Sequence, residues 1–230
     1  MNPATRSLVL AGPAGPIDVA LDLPAPAPRG IAVVAHPHPL YGGTRDNKVV
    51  QTLARALLAA GYAVWRPNFR GVGASAGEHD HGAGETDDMM AVIAAARAEP
   101  ALSQSARSNL ALAGFSFGSF VMSRVVTRLP APERLALPLV LVGVAAQRFA
   151  VEEVPPGTLV IHGEVDDVVP LGAVLNWARP QNLPVVVLPG ADHFFHRRLT
   201  LLKRLVLGHL IAWPQLAAQT AAEVADAGAD

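Results

Sequence analysis

The strongest constraint on the fold of this 230-residue chain is an alternation of short apolar runs with longer stretches of helical spacing. From about residue 31 onward, the apolar runs are rich in Val, Ile and Leu and do not alternate with polar residues. Such runs are typical of strands that are buried on both faces of a sheet. Strand–helix–strand repeats predict right-handed crossovers and a mainly parallel sheet with helices on both faces.

The boundaries of the predicted elements follow from this pattern. Eight strands are predicted at Ser7–Ala11, Ile17–Leu23, Ile31–Ala35, Tyr62–Arg66, Leu110–Gly114, Leu137–Val144, Thr158–Ile161 and Pro184–Leu188. Five helices are predicted at Asp46–Ala60, Glu85–Ala98, Phe117–Leu129, Leu171–Ala178 and His196–Ala212. Asp46 or Thr44 can cap the first helix, and Gly61 ends it. The first two strands leave no room for a helix between them, so we expect an antiparallel hairpin at one sheet edge.

These elements predict a single domain over residues 1–212. The remaining segment, residues 213–230, is rich in Ala and acidic at its end, and we expect it to be a flexible tail.

Composition and charge exclude several classes of function. The formal net charge of −1 gives no basic excess for a phosphate backbone, so we expect no nucleic-acid partner. Because the chain has no cysteine, disulfides, thiolate metal sites and a cysteine nucleophile are excluded. The N-terminus has no signal-peptide pattern, and no apolar stretch reaches the roughly 20 residues of a membrane span. We therefore expect a cytoplasmic protein with no membrane partner. The sequence leaves open whether the chain forms a homodimer.

A Gly-x-Ser-x-Gly segment lies where the fifth predicted strand ends and the next predicted helix begins. A serine on such a tight turn has its Oγ raised above the sheet and a strained backbone, so the residues two positions away must be small. Gly114 and Gly118 meet that requirement, and Ser116 is therefore the predicted nucleophile. The alternative is a Gly-rich turn that contains an incidental serine.

A serine hydroxyl is a weak nucleophile at neutral pH, so it needs a base, and the base needs an acid that fixes its tautomer. In a parallel sheet, these groups are expected on loops that follow later strands. Asp166 and Asp167 follow the seventh strand, and His193 and His196 follow the eighth. His193 is the predicted base, because His196 already lies where the helical run begins.

Several of these segments resemble a known family. They are the loop His36–Lys48, the turn Asn68–Ser75, and the loops that contain Ser116, Asp166 and His193. Their order and spacing resemble the α/β-hydrolase superfamily over residues 7–212. Within it, the chain resembles small lidless bacterial serine esterases near the dienelactone-hydrolase group. It departs from true dienelactone hydrolases, which have a cysteine nucleophile, and it has Asn68 where many superfamily members have Asp.

The resemblance implies an α/β-hydrolase fold with about eight strands, helices on both faces and no cap domain. The pattern His162-Gly-x-x-Asp166 resembles the acid turn of the superfamily and implies Asp166 as the acid, with Asp167 as the alternative. Lids of the superfamily commonly enter between the sixth strand and the acid-bearing strand, and here only the 13 residues Ala145–Gly157 separate those strands. An open site of this kind favours short-chain or otherwise accessible esters.

The oxyanion hole needs two N–H groups that face the developing negative charge. One is implied to come from Phe117, the residue after the nucleophile. The other comes from the loop after the third strand, where Pro37 and Pro39 have no N–H, so that His38, Leu40 and Tyr41 remain. Alignment with the His-Gly sequence of the superfamily favours His38.

The expected substrate is a small-molecule ester, with Leu40, Tyr41 and Phe194 predicted to contact it. We predict a serine esterase, a carboxylic ester hydrolase that forms an acyl-enzyme and needs no cofactor. A thioesterase or peptidase with the same triad is the first alternative. A non-catalytic ligand-binding protein of the same fold is the second.

Two His-x-His pairs, His36/His38 and His79/His81, could suggest metal ligands. Neither pair has a third ligand at a recognisable spacing, so no metal is expected.

Overall fold

The computed structural model describes residues 5–227, and the side chains of residues 5–216. Within the described residues, eight strands form one sheet. The strands are β1 (Arg6–Gly12), β2 (Gly15–Asp22), β3 (Gly30–Ala35), β4 (Tyr62–Pro67), β5 (Leu110–Phe115), β6 (Leu139–Val142), β7 (Leu159–Gly163) and β8 (Val185–Leu188). Their order in the sheet is β1-β2-β4-β3-β5-β6-β7-β8. The pairs β1–β2 and β2–β4 are antiparallel, and all the others are parallel.

Helices cover both faces of this sheet. In the part of the chain that the structure describes, they are α1 (Lys48–Ala59), α2 (Ala83–Ala98), α3 (Gln104–Ser108), α4 (Phe117–Arg128), α5 (Ala131–Ala136), α6 (Leu171–Ala178) and α7 (Leu199–Ala227). Helices α1 and α7 pack on one face, and α2 and α4 pack on the other. The α/β-hydrolase fold without a cap domain is therefore present, and the hairpin β1–β2 lies at one edge as predicted.

The central strands are apolar at every position because both of their faces are buried. Along β3, Ile31 and Val33 belong to the core beneath α2 and α4, whereas Ala32 and Val34 belong to the core beneath α1 and α7. Successive side chains of a strand point to opposite faces, so each core receives every second residue. This two-sided burial confirms the interpretation of the non-alternating runs.

Some element ends differ from prediction for local reasons. Strand β6 is shorter than the predicted Leu137–Val144, because Pro138 has no N–H for the ladder and Gly143 adopts a left-handed conformation at φ 57°. Helix α1 is capped by Asn47, whose side chain accepts the N–H of Val49, and not by Asp46 or Thr44. Helices α3 and α5 have only five and six residues, too few for a helical period to be recognised in the sequence.

Helix α7 begins and ends later than the predicted His196–Ala212. Its start is delayed because Phe195 and Arg197, with φ of 55° and 60°, are not in a helical conformation. At the other end, Trp213 is buried, and its indole N–H donates to the Ala136 carbonyl at 2.9 Å. The helix therefore continues through the predicted boundary at residue 212.

Pro214 lies inside α7 and has no N–H to donate to the Leu210 carbonyl. That carbonyl instead accepts a hydrogen bond from the Arg29 guanidinium at 3.1 Å. The predicted tail, residues 213–230, lies partly outside the described residues, which end at Ala227.

None of the described helices combines the length and the hydropathy that a membrane crossing requires.

Candidate active site

The chain turns sharply at Ser116, between the end of β5 and the start of α4. Ser116 has φ 55° and ψ −119°, a conformation that a residue with a Cβ adopts only when its surroundings enforce it. A Cβ at Gly114 would overlap the Gly118 carbonyl, and a Cβ at Gly118 would overlap the Ala35 carbonyl at the end of β3. Both glycines are therefore required by direct backbone contact, and the predicted turn is present.

Hydrogen bonds fix the strained backbone of Ser116 on both sides. Its N–H donates to the Val142 carbonyl of β6 at 2.9 Å. Its carbonyl accepts from the N–H of Ser119 at 2.9 Å and from the Ser119 hydroxyl at 2.6 Å. The Ser116 side chain is consequently presented from a fixed position.

Three side chains from three loops meet at the carboxyl edge of the sheet. The Ser116 Oγ lies 3.0 Å from His193 Nε2, and His193 Nδ1 lies 2.7 Å from Asp166 Oδ2. The other carboxylate oxygen of Asp166 accepts the N–H groups of Val168 and Val169, at 2.9 and 2.7 Å. When Nδ1 of His193 donates its proton to Asp166, Nε2 is free to accept the hydroxyl proton of Ser116.

The carboxyl group of Asp166 is buried, yet its pKa is lowered. Burial by itself raises this pKa, but the hydrogen bonds from His193 and from the Val169 N–H, together with the nearby imidazoles, outweigh the effect of burial. The group is therefore a carboxylate at neutral pH. A negative charge in this position stabilises a protonated His193.

The neighbouring acid and base candidates lie elsewhere. Asp167 is exposed and does not cap α6, which has Pro170 at its N-cap and no side-chain hydrogen bond there. Asp192 accepts the His196 N–H at 2.9 Å, and its carboxylate lies 2.6 Å from His196 Nδ1. The side chain of His196 is 67% exposed. None of these residues contacts Ser116, so the structure brings together Asp166 and His193.

A buried histidine joins two of the loops beneath the site. His36 Nδ1 donates to the Pro37 carbonyl at 2.6 Å, and His36 Nε2 accepts the N–H of Phe69 at 2.9 Å. Burial lowers the pKa of His36 to about 4, so the ring is neutral at physiological pH. This neutral ring connects the loop after β3 to the turn after β4.

A second buried histidine lies under the acid. His162 Nε2 donates to the Val169 carbonyl at 2.9 Å and is 3.4 Å from Asp166 Oδ2. Burial also lowers the pKa of His162. His162 therefore supports the turn that holds the Asp166 carboxylate.

The loop after β3 forms a short 3-10 turn at Pro39–Tyr41. Its N–H groups at Leu40 and Tyr41 donate within the loop, to His38 Nδ1 at 3.3 Å and to the His38 carbonyl at 3.1 Å. The N–H of His38 donates to no acceptor among the described residues. The rings of His38 and Phe117 are neighbours, with centroids 4.8 Å apart. Of the three donors that the sequence left open, His38 is thus the one whose N–H is unused.

A cavity of about 280 Å³ opens beside Ser116 and His193. Of the residues predicted to contact substrate, Tyr41 and Phe194 line this cavity. Leu40 does not, and its side chain is 68% exposed. Tyr41 is also exposed, at 75%, so exposure does not separate the two residues. Contact between Leu40 and the substrate stays a prediction.

The cavity is also lined by six residues that the sequence analysis did not assign to the site: Pro37, Gly42, Gly43, Asn47, Arg148 and Val168. Arg148 lies in the connection between β6 and β7, residues 143–158, which contains no helix. The sequence did contain one signal for Arg148. It follows the carboxyl end of a parallel strand, and the loops at these strand ends surround ligand sites. Sequence spacing does not reveal which side chain of a loop faces the cavity.

The histidines near this cavity do not form a metal centre. His79 Nδ1 is paired with the buried Glu85 at 2.7 Å, and the rings of His38 and His79 lie 4.7 Å apart. Among the residues that the structure describes, no group of three or more His, Asp or Glu side chains is arranged to hold a metal ion.

Comparisons with known proteins found a matching family and a similar curated sequence. A family model described as serine aminopeptidase, S33, matches residues 26–148. The uncharacterized protein RP471 of Rickettsia prowazekii is 33% identical over 190 residues, which cover 79% of this chain and 78% of that protein.

Two solved structures are similar over nearly the whole chain. XC6422 of Xanthomonas campestris, described as an α/β serine hydrolase without a lid, is 40% identical, with a TM-score of 0.81 and coverage of 93% of this chain and 96% of that one. An α/β serine hydrolase homologue from Coxiella burnetii is 34% identical, with a TM-score of 0.78 and coverage of 89% and 97%.

Because His36 is buried, we predict that the folded protein loses stability in mild acid. Its pKa is about 4 in the folded chain and near 6.5 in the unfolded chain. Between these values only the unfolded chain binds the proton, so the free energy of unfolding falls as pH drops from about 6.5 to 4. The loss from this residue is about 3 kcal/mol.

Urea unfolding at a series of pH values measures this dependence. His36→Gln, which cannot titrate, is expected to show a shallower fall over this pH range than the wild-type protein. His81→Gln removes a histidine from the exposed surface and is expected to keep the wild-type slope. Identical slopes for the wild-type protein and His36→Gln would contradict the assignment.

Proposed function

We propose that this chain, which belongs to the α/β-hydrolase superfamily and to the family described as serine aminopeptidase, S33, is a serine esterase. Its proposed substrates are small, accessible carboxylic esters. The observation that supports this proposal most strongly is the continuous hydrogen-bond relay from Ser116 through His193 to Asp166, with distances of 3.0 and 2.7 Å. A relay of this geometry activates a serine hydroxyl for attack on a carbonyl carbon.

The first half of the reaction forms an acyl-enzyme. As the Ser116 Oγ attacks the ester carbonyl carbon, its proton moves to His193 Nε2, and the carbonyl oxygen becomes an oxyanion. The N–H groups of Phe117 and His38 donate hydrogen bonds to this oxygen, and Asp166 stabilises the imidazolium. Collapse of the intermediate breaks the bond between the acyl carbon and the alcohol oxygen, and His193 returns its proton to the departing alcohol.

The second half of the reaction releases the acid. Water replaces the alcohol and gives a proton to His193 Nε2 as its oxygen attacks the acyl carbon. The second intermediate then breaks the bond to the Ser116 Oγ, which regains the proton from His193. The net change is hydrolysis of one ester to one acid and one alcohol, with no external redox partner. The strained backbone of Ser116 keeps the Oγ aligned in both halves.

The size and openness of the site favour short substrates. The cavity of about 280 Å³ lies near the lower limit of ligand pockets, which start at roughly 300 Å³. The connection between β6 and β7, where the superfamily often inserts a lid, contains no helix that could cover the cavity. A long acyl chain would therefore leave most of its apolar surface in water.

The family description raises an aminopeptidase as a second candidate function. An aminopeptidase must hold the α-ammonium group of its substrate, which requires a negative or acceptor-rich subsite. Among the described residues that line the cavity there is no Asp or Glu, and the permanently charged side chain is Arg148. This charge repels an ammonium group, so the cavity favours an ester over a peptide with a free N-terminus.

Ser116 is the expected target of a fluorophosphonate probe, which labels serine nucleophiles. Wild-type protein is expected to be labelled at Ser116, and Ser116→Ala is expected to lose both labelling and about 10⁴-fold or more of its kcat/KM on aryl esters. Ser105→Ala alters an exposed serine in the first turn of α3 and is the control. Absence of labelling in the wild-type protein would favour the non-catalytic ligand-binding alternative.

Asp166 is expected to act as the acid of the triad and Asp167 to have no role in it. Asp166→Asn leaves a side chain of similar size but removes the charge that orients His193, so kcat is expected to fall about 10³- to 10⁴-fold. Asp167→Asn makes the same chemical change one residue away on an exposed side chain and is expected to alter kcat less than about twofold. A greater loss of activity in Asp167→Asn would overturn the assignment.

The small cavity predicts a preference for short acyl chains. In a series of p-nitrophenyl esters from acetate to palmitate, kcat/KM is expected to be highest at the short end and to fall once the chain outgrows the cavity. The measurement is the initial rate of p-nitrophenol release below the solubility limit of each ester. A preference for palmitate would contradict the proposed open, small site.

A further inference from the structure

Arg148 is a cation that lines the same candidate substrate cavity as the proposed nucleophile, Ser116. Its backbone N–H donates to the Ala145 carbonyl at 3.2 Å. The adjacent Phe149 packs its ring against Phe117 and Phe120, with centroids 5.2 and 4.8 Å away. These contacts fix the point from which the Arg148 side chain extends, although the side chain itself is exposed.

The guanidinium of Arg148 has no carboxylate partner and no hydrogen-bond acceptor among the described residues. Five other arginines do form ion pairs with Asp or Glu side chains: Arg45, Arg66, Arg70, Arg97 and Arg128. Unpaired arginines also occur on the outer surface, where water solvates them, so the lack of a partner is not by itself informative. Arg148 differs from those arginines because it lines the same cavity as Ser116.

The charge of Arg148 is not neutralised elsewhere in the cavity. No Asp or Glu is among the described residues that line it, and Asp166 lies beneath His193 with both oxygens engaged. The Arg148 charge is also felt at the oxyanion loop. The pKa of His38 is lowered mainly by burial and by His79; Glu85 opposes this lowering, and the Arg148 charge adds to it. Among the described residues that line the cavity, Arg148 is therefore the one permanent charge.

We propose that Arg148 binds a carboxylate of the substrate, so that the ester hydrolysed at Ser116 bears one carboxylate group in addition to its ester group. This inference rests on the proposed esterase function and adds the substrate class. The planar guanidinium presents N–H donors in a fork that matches the two oxygens of a carboxylate. One cation compensates one negative charge, and the cavity of about 280 Å³ limits the molecule to a short acid such as a half-ester of a small dicarboxylic acid.

The carboxylate takes no part in bond making or breaking. The bond between the acyl carbon and the alcohol oxygen breaks, and a new bond forms between that carbon and a water oxygen, as for any ester. The products are an alcohol and an acid that now has two carboxyl groups, and the new carboxyl group releases its proton at neutral pH. The role of Arg148 is to select and orient the substrate.

Monomethyl glutarate and dimethyl glutarate form a matched pair of substrates for the test, because they share a carbon chain and differ by one negative charge. The measurement is kcat/KM from the methanol released. Wild-type protein is expected to prefer the monomethyl ester. Arg148→Gln is expected to lose about tenfold on that ester, the effect of one charge-assisted hydrogen bond in an accessible site, and less than about twofold on the dimethyl ester.

Two variants control for charge. Arg148→Lys keeps the positive charge without the fork and is expected to recover part of the preference. Arg204→Gln removes the same charge from the exposed surface of α7, outside the cavity, and is expected to behave as wild type. An equal loss on both esters in Arg148→Gln would overturn the inference, because it would mean that Arg148 acts on the reaction in general and not on the carboxylate.

The outcomes separate this inference from the proposed function. Ser116-dependent hydrolysis of neutral aryl esters, without Arg148-dependent preference for monomethyl glutarate, contradicts the inference alone. Absence of Ser116 labelling and of any Ser116-dependent ester hydrolysis contradicts the proposed function and, with it, this inference.

Discussion

The close approach of backbone at the ends of β3 and β5 is the contact on which the candidate site depends. Gly118 at the start of α4 lies against the Ala35 carbonyl, and Gly114 lies against the Gly118 carbonyl, so neither position has room for a Cβ. Only this approach lets the chain reverse at Ser116 with a positive φ. The strain at one residue is balanced by the packing of two strands and a helix around it, because backbone in a rare conformation persists only where its surroundings over-determine it.

Buried polar groups connect the loops around that turn. His36 joins the loop after β3 to the turn after β4, and His162 joins the end of β7 to the turn that holds Asp166. Burial keeps both rings neutral by lowering their pKa values, so each can donate from one nitrogen without placing a charge in the core. The Asp166 carboxylate is also buried, and two backbone N–H groups and His193 stabilise its charge. Neutral buried histidines therefore hold the loops, while a hydrogen-bonded carboxylate lies beneath the proposed base.

Much of the fold could be predicted because its signal is local or repeats regularly. The runs at β3, β5 and β6 are apolar because both faces of these strands are buried, and Gly61 ends α1 with a left-handed φ of 88°. The predictions were less accurate where a tertiary contact decides the outcome. Asn47 caps α1 although two other residues in the same loop have suitable side chains, and Trp213 extends the packed part of α7 because Ala136 accepts its indole N–H. Leu40 and Tyr41 are adjacent candidates in the sequence and share one 3-10 turn, yet only Tyr41 is among the residues that line the cavity.

By itself, the sequence determined the class of fold and the order of Ser116, an acid and His193 on successive loops, because hydrophobic periodicity and Gly spacing constrain each segment on its own. The tertiary structure decided which of two adjacent carboxylates meets His193, which N–H in the loop after β3 is unused, and that Arg148 lines the cavity. Each of these depends on the direction in which a loop side chain points. That direction is set by contacts with residues far away along the chain, such as His193 for Asp166 and the Phe117 ring for Phe149, the neighbour of Arg148, and no local pattern encodes them.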